Sequence, residues 1–184
     1  NASQLATETG VSVNTIKSWI SVLETSFIIY LLSPWHDNIN KRLIKSPKLY
    51  FYDVGLVSYL LGLTNPEQVQ HDPIRGGLFE NLVISEIIKK FFNSGLDATV
   101  FFYRDKHGNE VDALLSIGRK LIPIEIKSSE TYRGEFLKGL DYFRKIYNDR
   151  IQRSILVYGG SMEQKSGKTN IIHFRNLYKE LDVK

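Results

Sequence analysis

The 184-residue sequence contains no cysteine, which excludes a disulfide framework and any thiolate metal site. Its four histidines, at positions 36, 71, 107 and 173, show no zinc-ligand spacing, so a zinc centre is not expected. The longest unbroken apolar run, Phe27 to Leu32, is far too short to cross a bilayer. No basic stretch followed by an apolar one opens the chain, and no internal repeat or low-complexity tract interrupts it. A cytoplasmic protein with no membrane association is the expectation these absences leave.

The chain has 42% hydrophobic residues and 12% aromatics, enough for a real core in one large domain or two small ones. It starts at Asn1 rather than Met, already inside a patterned segment, which suggests a piece of a longer polypeptide. The net charge is +4; residues 1–70 hold as many bases as acids, so the excess lies in 71–184. That excess suits a polyanionic partner such as DNA, and is also small enough to be solubility charge.

The most informative residues are charges set inside short apolar runs. Lys120 to Lys127 (Lys-Leu-Ile-Pro-Ile-Glu-Ile-Lys) reads as a strand, so Pro123, Glu125 and Lys127 share one face and Ile122, Ile124 and Ile126 the other. Glu110 to Leu115 follows a Gly108-Asn109 turn signal and reads as a strand pairing back on Ala98 to Tyr103. Asp112 then lies one strand from Glu125. A helix is expected over Phe79 to Phe92, with Glu80 amid Phe79, Val83, Ile84, Ile87 and Phe91. Three converging carboxylates repel one another unless protons or a cation offset them, and hard oxygen ligands suit Mg²⁺ or Mn²⁺. Lys127 beside them would balance charge and orient a water. The plainer alternative is that Glu125 and Lys127 form a solvated same-face pair and Glu80 merely favours its helix N-terminus.

Ala2 to Trp19 fits a helix-turn-helix, with Ala6 where helices cross, Gly10 in the turn, and Leu5, Val11, Ile16 and Trp19 facing the core. Ser12 can cap the second helix, leaving Asn14, Thr15, Lys17 and Ser18 on the surface a recognition helix would use. Phe27 to Ser33 and Lys48 to Tyr52 read as strands joined through a basic wing containing Lys41 and Arg42. Leu56 to Leu63 reads as a short helix ending at Gly62, followed by a connecting segment punctuated by Asn65-Pro66 and Asp72-Pro73. These signals divide the chain into a winged helix-turn-helix, 1–70, and a second domain, 71–184. Gly167-Lys168-Thr169 tempts a P-loop reading, but position 162 is Met where that pattern needs Gly, and 170–173 reads as a strand where a helix is required. No nucleotide site is expected within this chain.

Asp112 on one strand and Glu125-Ile126-Lys127 on the next resemble the PD-(D/E)XK nuclease superfamily. The resemblance implies an α/β core of αβββαβ order with a mixed, restriction-endonuclease-like sheet. Its second helix would be Gly134 to Tyr147 and its last strand Arg153 to Tyr158. It also implies Mg²⁺ or Mn²⁺ held by Asp112, Glu125, the carbonyl of Ile126 and Glu80, with Lys127 catalytic. Two positions depart from the pattern: Val111 stands where the motif has Pro, and Lys138-x-x-x-Tyr142 where RecB-type members have Gln-x-x-x-Tyr. The strings Ser46 to Leu56, Gly77 to Asn81 and Tyr103 to Asp112 are similar to a bacterial and archaeal family of C-terminal regions found behind an AAA+ ATPase module. That similarity implies an ATPase portion in the same parent chain. Three functions stay open: metal-dependent DNA hydrolysis, a catalytically silent nuclease-like module that docks nucleic acid or protein for the ATPase, and a winged-helix DNA-binding regulator.

Overall fold

A computed structural model describes residues 2–36 and 46–181. In chain order the elements are α1 (Ala2–Thr9), α2 (Val13–Thr25), β1 (Ile29–Leu32), β2 (Lys48–Phe51), α3 (Val54–Leu60), α4 (Pro66–His71), α5 (Arg75–Asn93), β3 (Val100–Arg104), β4 (Glu110–Ile117), β5 (Lys120–Lys127), α6 (Lys138–Tyr147), β6 (Ser154–Tyr158), β7 (Gln164–Ser166), β8 (Thr169–His173) and α7 (Leu177–Glu180). The fold is mixed α/β. Six strands form one sheet in the order β3-β4-β5-β6-β8-β7. The β3-β4, β4-β5 and β7-β8 pairs are antiparallel, while β5-β6 and β6-β8 are parallel.

Strand β5 shows how the sequence builds the layers. Ile122, Ile124 and Ile126 alternate onto one face, where they pack with Val83, Ile84, Ile87 and Phe91 of α5. Leu121, on the opposite face, packs with Leu140, Phe143 and Tyr147 of α6. The sheet is therefore covered by α5 on one side and α6 on the other. The helix expected at 79–92 begins four residues earlier, at Arg75, because Gly76 and Gly77 continue it. The one expected at 134–147 opens as a 3₁₀ turn, Gly134–Leu137, before α6. The Asn65-Pro66 punctuation marks the start of α4, with Asn65 Oδ1 accepting from Gln68 N at 2.9 Å and Pro66 in the first turn.

At the N-terminal end, Gly10 takes a φ of +71° between α1 and α2, and Ser12 Oγ accepts from Thr15 N at 3.1 Å. Ala6 and Ile16 are buried, but Trp19, expected in the core, is 52% exposed. The inward row on α2 continues from Ile16 to the half-buried Ile20, following i,i+4 rather than i,i+3. The antiparallel β1-β2 pair aligns Ile29 with Phe51 and Leu32 with Lys48. The expected basic wing with Lys41 and Arg42 lies outside the described residues. Tyr30, Leu32 and Tyr50 of this pair share the core cluster of α5 and the large sheet. Asn81 clamps β2 onto α5, its Oδ1 accepting from Phe51 N at 2.8 Å and its Nδ2 donating to Phe51 O at 2.7 Å. Beyond β1, Trp35 N donates to Phe102 O at 2.7 Å and Phe102 N to Ser33 O at 3.1 Å, joining the segment to β3.

Candidate active site

The β4-β5 ladder runs from Ile117 opposite Lys120 to Ala113 opposite Ile124, and stops there although both strands continue. The strands fork beyond that point, and the two limbs carry Asp112 and Glu125. In place of a ladder bond, Ile126 N donates to Asp112 Oδ2 at 2.8 Å. Lys127 Nζ lies 2.6 Å from Glu125 Oε1 and 3.7 Å from Asp112 Oδ2. Both acids are 8% exposed, and Glu125 Oε2 is buried without a hydrogen-bond partner. Helix α6 closes on the fork through Gly139. A Cβ there would lie 2.4 Å from Glu110 O and 3.0 Å from Glu125 Oε2, so only glycine permits this approach.

Burial and then the neighbouring Asp112 push the Glu125 carboxyl up to about 8. Burial, opposed by Lys127 and aided by Glu80, pushes Asp112 up to about 6. Burial of Lys127 works against its charge, but Asp112 and Glu125 outweigh it and hold the ammonium above its ordinary range. The site is short of positive charge.

Glu80 comes to the same neighbourhood, close enough for its charge to act on Asp112 and Lys127. Its Oε1, however, accepts from Lys48 Nζ at 3.0 Å and from Tyr50 Oη at 2.5 Å. Lys48 also meets Glu110 Oε1 at 2.5 Å. Among the described residues, no group of three or more His, Asp or Glu side chains is gathered so as to hold a metal unaided. Sequence reasoning gave no role at the acidic site to Lys48, Tyr50 or Glu110. The available signal was Lys48 and Tyr50 two apart on one strand, and hence on one face. It also missed Asp105, which takes the Tyr142 hydroxyl at 2.7 Å and organises the β3-β4 turn through His107 N and Asn109 N. Tyr142 of the Lys138-x-x-x-Tyr142 pattern is thus tied to that turn.

Of the residues expected to meet nucleic acid, Asn14 is exposed on α2. The Thr15 hydroxyl is paired with Ser12 Oγ at 2.9 Å. Lys17 lines a groove of about 530 Å³ with Leu5, Val13, Ile20, Leu31 and Leu49, between the helices and the β1-β2 pair. Gly167 and Lys168 form the turn between β7 and β8 rather than a phosphate loop leading into a helix. No helix among the described residues is long and apolar enough to cross a membrane.

A mixed α/β domain with an acid-lysine site at a strand fork is the class these features define. Residues 75–177 match the model described as "Domain of unknown function (DUF4143)", and the chain belongs to that family. Domains of this family occur in AAA-ATPase-associated proteins. Residues 1–67 match a second domain of unknown function, DUF8612. The chain is 26% identical over 131 residues, 71% of its length, to the uncharacterized proteins Rv2008c of Mycobacterium tuberculosis and Mb2031c of Mycobacterium bovis. It spans 29% of the length of each.

Proposed function

We propose that the fork is the site of Mg²⁺- or Mn²⁺-dependent phosphodiester hydrolysis of DNA. On this reading the domain is a nuclease-like PD-(D/E)XK fold that follows a winged helix-turn-helix, in a parent chain that also carries an AAA+ ATPase. The observation that carries the reading is the buried pair Asp112 and Glu125 beside Lys127, with Glu125 Oε2 left without a partner. An orphaned carboxylate oxygen, two acids raised chiefly by burial, and a hard-oxygen donor set all fit a divalent cation. Asp112, Glu125 and the Ile126 carbonyl would hold it, with Glu80 reaching it through water. When bound, the ion supplies polarisation of a phosphoryl oxygen and charge stabilisation of the leaving alkoxide. Lys127 orients the attacking water and favours its deprotonated form.

A specific observation favours a second reading, that of a silent docking module. Lys127 and Lys48 already partner Glu125, Glu80 and Glu110, so the acids have internal counter-charges without any ion. Incubating supercoiled plasmid with Mn²⁺ and either the native chain or Asp112→Ala separates the two. Cleavage by the native chain alone is the expected result. Equal products from both would mean a contaminating nuclease, and none from either would move the assignment to docking.

A further inference from the structure

Lys48 belongs to the part of the chain that matches one family model, while every carboxylate it touches belongs to the part that matches the other. Its ammonium sits between Glu80 on α5 and Glu110 on β4, 3.0 and 2.5 Å from their Oε1 atoms, and 5.3 Å from the centre of the Phe102 ring. Arg104 Nε lies 3.6 Å from Glu110 Oε2, so both oxygens of Glu110 have internal cations. Tyr50 adds a second donor to Glu80 Oε1 and draws that carboxylate toward β2. Glu80 and Glu110 are therefore already engaged by the protein. At Asp112 and Glu125 one ammonium serves two buried acids, and Glu125 Oε2 has no partner. The four carboxylates, with Lys48 and Lys127 among them, carry a formal charge of minus two when all are ionised, which one divalent ion balances. Counting the half-exposed Arg104 as well leaves minus one, so the cluster stays net negative.

We propose that Lys48 is a tethered counter-cation that fills the place a second divalent ion would take between Glu80 and Glu110, so that the fork takes up a single divalent cation, at Asp112 and Glu125. The inference rests on reading Asp112 and Glu125 as cation ligands. Displacing Lys48 would mean stripping water from the incoming ion and moving an ammonium already held by two carboxylates and an aromatic face, so a second ion gains little. Without the ammonium, Glu80 and Glu110 face each other across a half-buried gap, and their repulsion favours an incoming cation.

The test is a calorimetric Mn²⁺ titration of the full chain, with bound ions counted by electron paramagnetic resonance and folding checked by circular dichroism. The native chain is expected to bind one ion, Glu125→Gln none, Lys48→Met two and Lys48→Arg one. Two ions on the native chain overturn the proposal whether or not Lys48→Met folds, as does a folded Lys48→Met that still binds one. No ion on the native chain but one on Lys48→Met would sink the reading of Asp112 and Glu125 as ligands while keeping Lys48 as the counter-cation. No binding to either chain overturns both.

Discussion

Glu125 has one carboxylate oxygen 2.6 Å from an ammonium and the other buried without a partner. Its pKa of about 8 in the folded chain, against an ordinary 4.5, means that between those values the folded state binds more protons than the unfolded one. Its stabilising contribution is therefore full below about pH 4.5 and lost as pH rises through 8. Asp112, at about 6 against 3.8, acts in the same direction over a lower window. In thermal melts without metal, Glu125→Gln should stabilise the chain at pH 8.5 relative to its effect at pH 5. Mn²⁺ should raise the native melting temperature most at the alkaline end. Gly139 gives a second residue-scale prediction. Alanine normally favours a helix interior over glycine, yet a Cβ here meets Glu110 O at 2.4 Å. Gly139→Ala should therefore cost about 1–3 kcal/mol in denaturant unfolding; a gain in stability would show that α6 does not press on the fork.

Among the elements, the fork depends on two strands that pair for part of their length and then separate. The strands themselves were legible in the sequence, because Lys120 to Lys127 and Glu110 to Leu115 are apolar runs with alternating faces, and both form where the pattern puts them. The end of the ladder at Ala113 and Ile124 was not, since it depends on how α6 and the Ile126 N–H to Asp112 bond fill the gap. Lys48 and Glu110 escaped for a similar reason: they lie 62 residues apart and meet only through packing of β2 against α5 and β4. Trp19 misled because helical spacing names a face without saying how wide the partner surface is. The clamp that docks β2 is Asn81, which satisfies both the N–H and the C=O of Phe51. Asn81→Leu leaves Phe51 N without its partner and Phe51 O with Ser85 Oγ alone, at 3.2 Å, at a cost of about 1–3 kcal/mol. Hydrogen exchange should then show loss of protection concentrated in 29–32 and 48–51. Uniform loss across the sheet would contradict a local clamp.

Across the whole molecule, the N-terminal segment and the sheet share one apolar cluster and one charge network. Tyr30, Leu32 and Tyr50 pack with α5, and Lys48 joins the acids. A chain beginning at residue 75 would expose that cluster and leave Glu80 without Lys48 and Tyr50. It should be poorly folded by circular dichroism, whereas a well-folded truncation would mean the hairpin is dispensable. If α2 contacts duplex DNA, Asn14→Ala with Lys17→Ala should weaken binding and lower the salt dependence by about one counterion; unchanged binding would remove that helix from the interface. We propose that Asp112 and Glu125 converge on one divalent cation at the β4-β5 fork. Anomalous diffraction from crystals grown with Mn²⁺ tests it most directly. A single peak bonded to both carboxylates is the expected result; Lys127 still bridging them with no metal density in the fork would rule the site out.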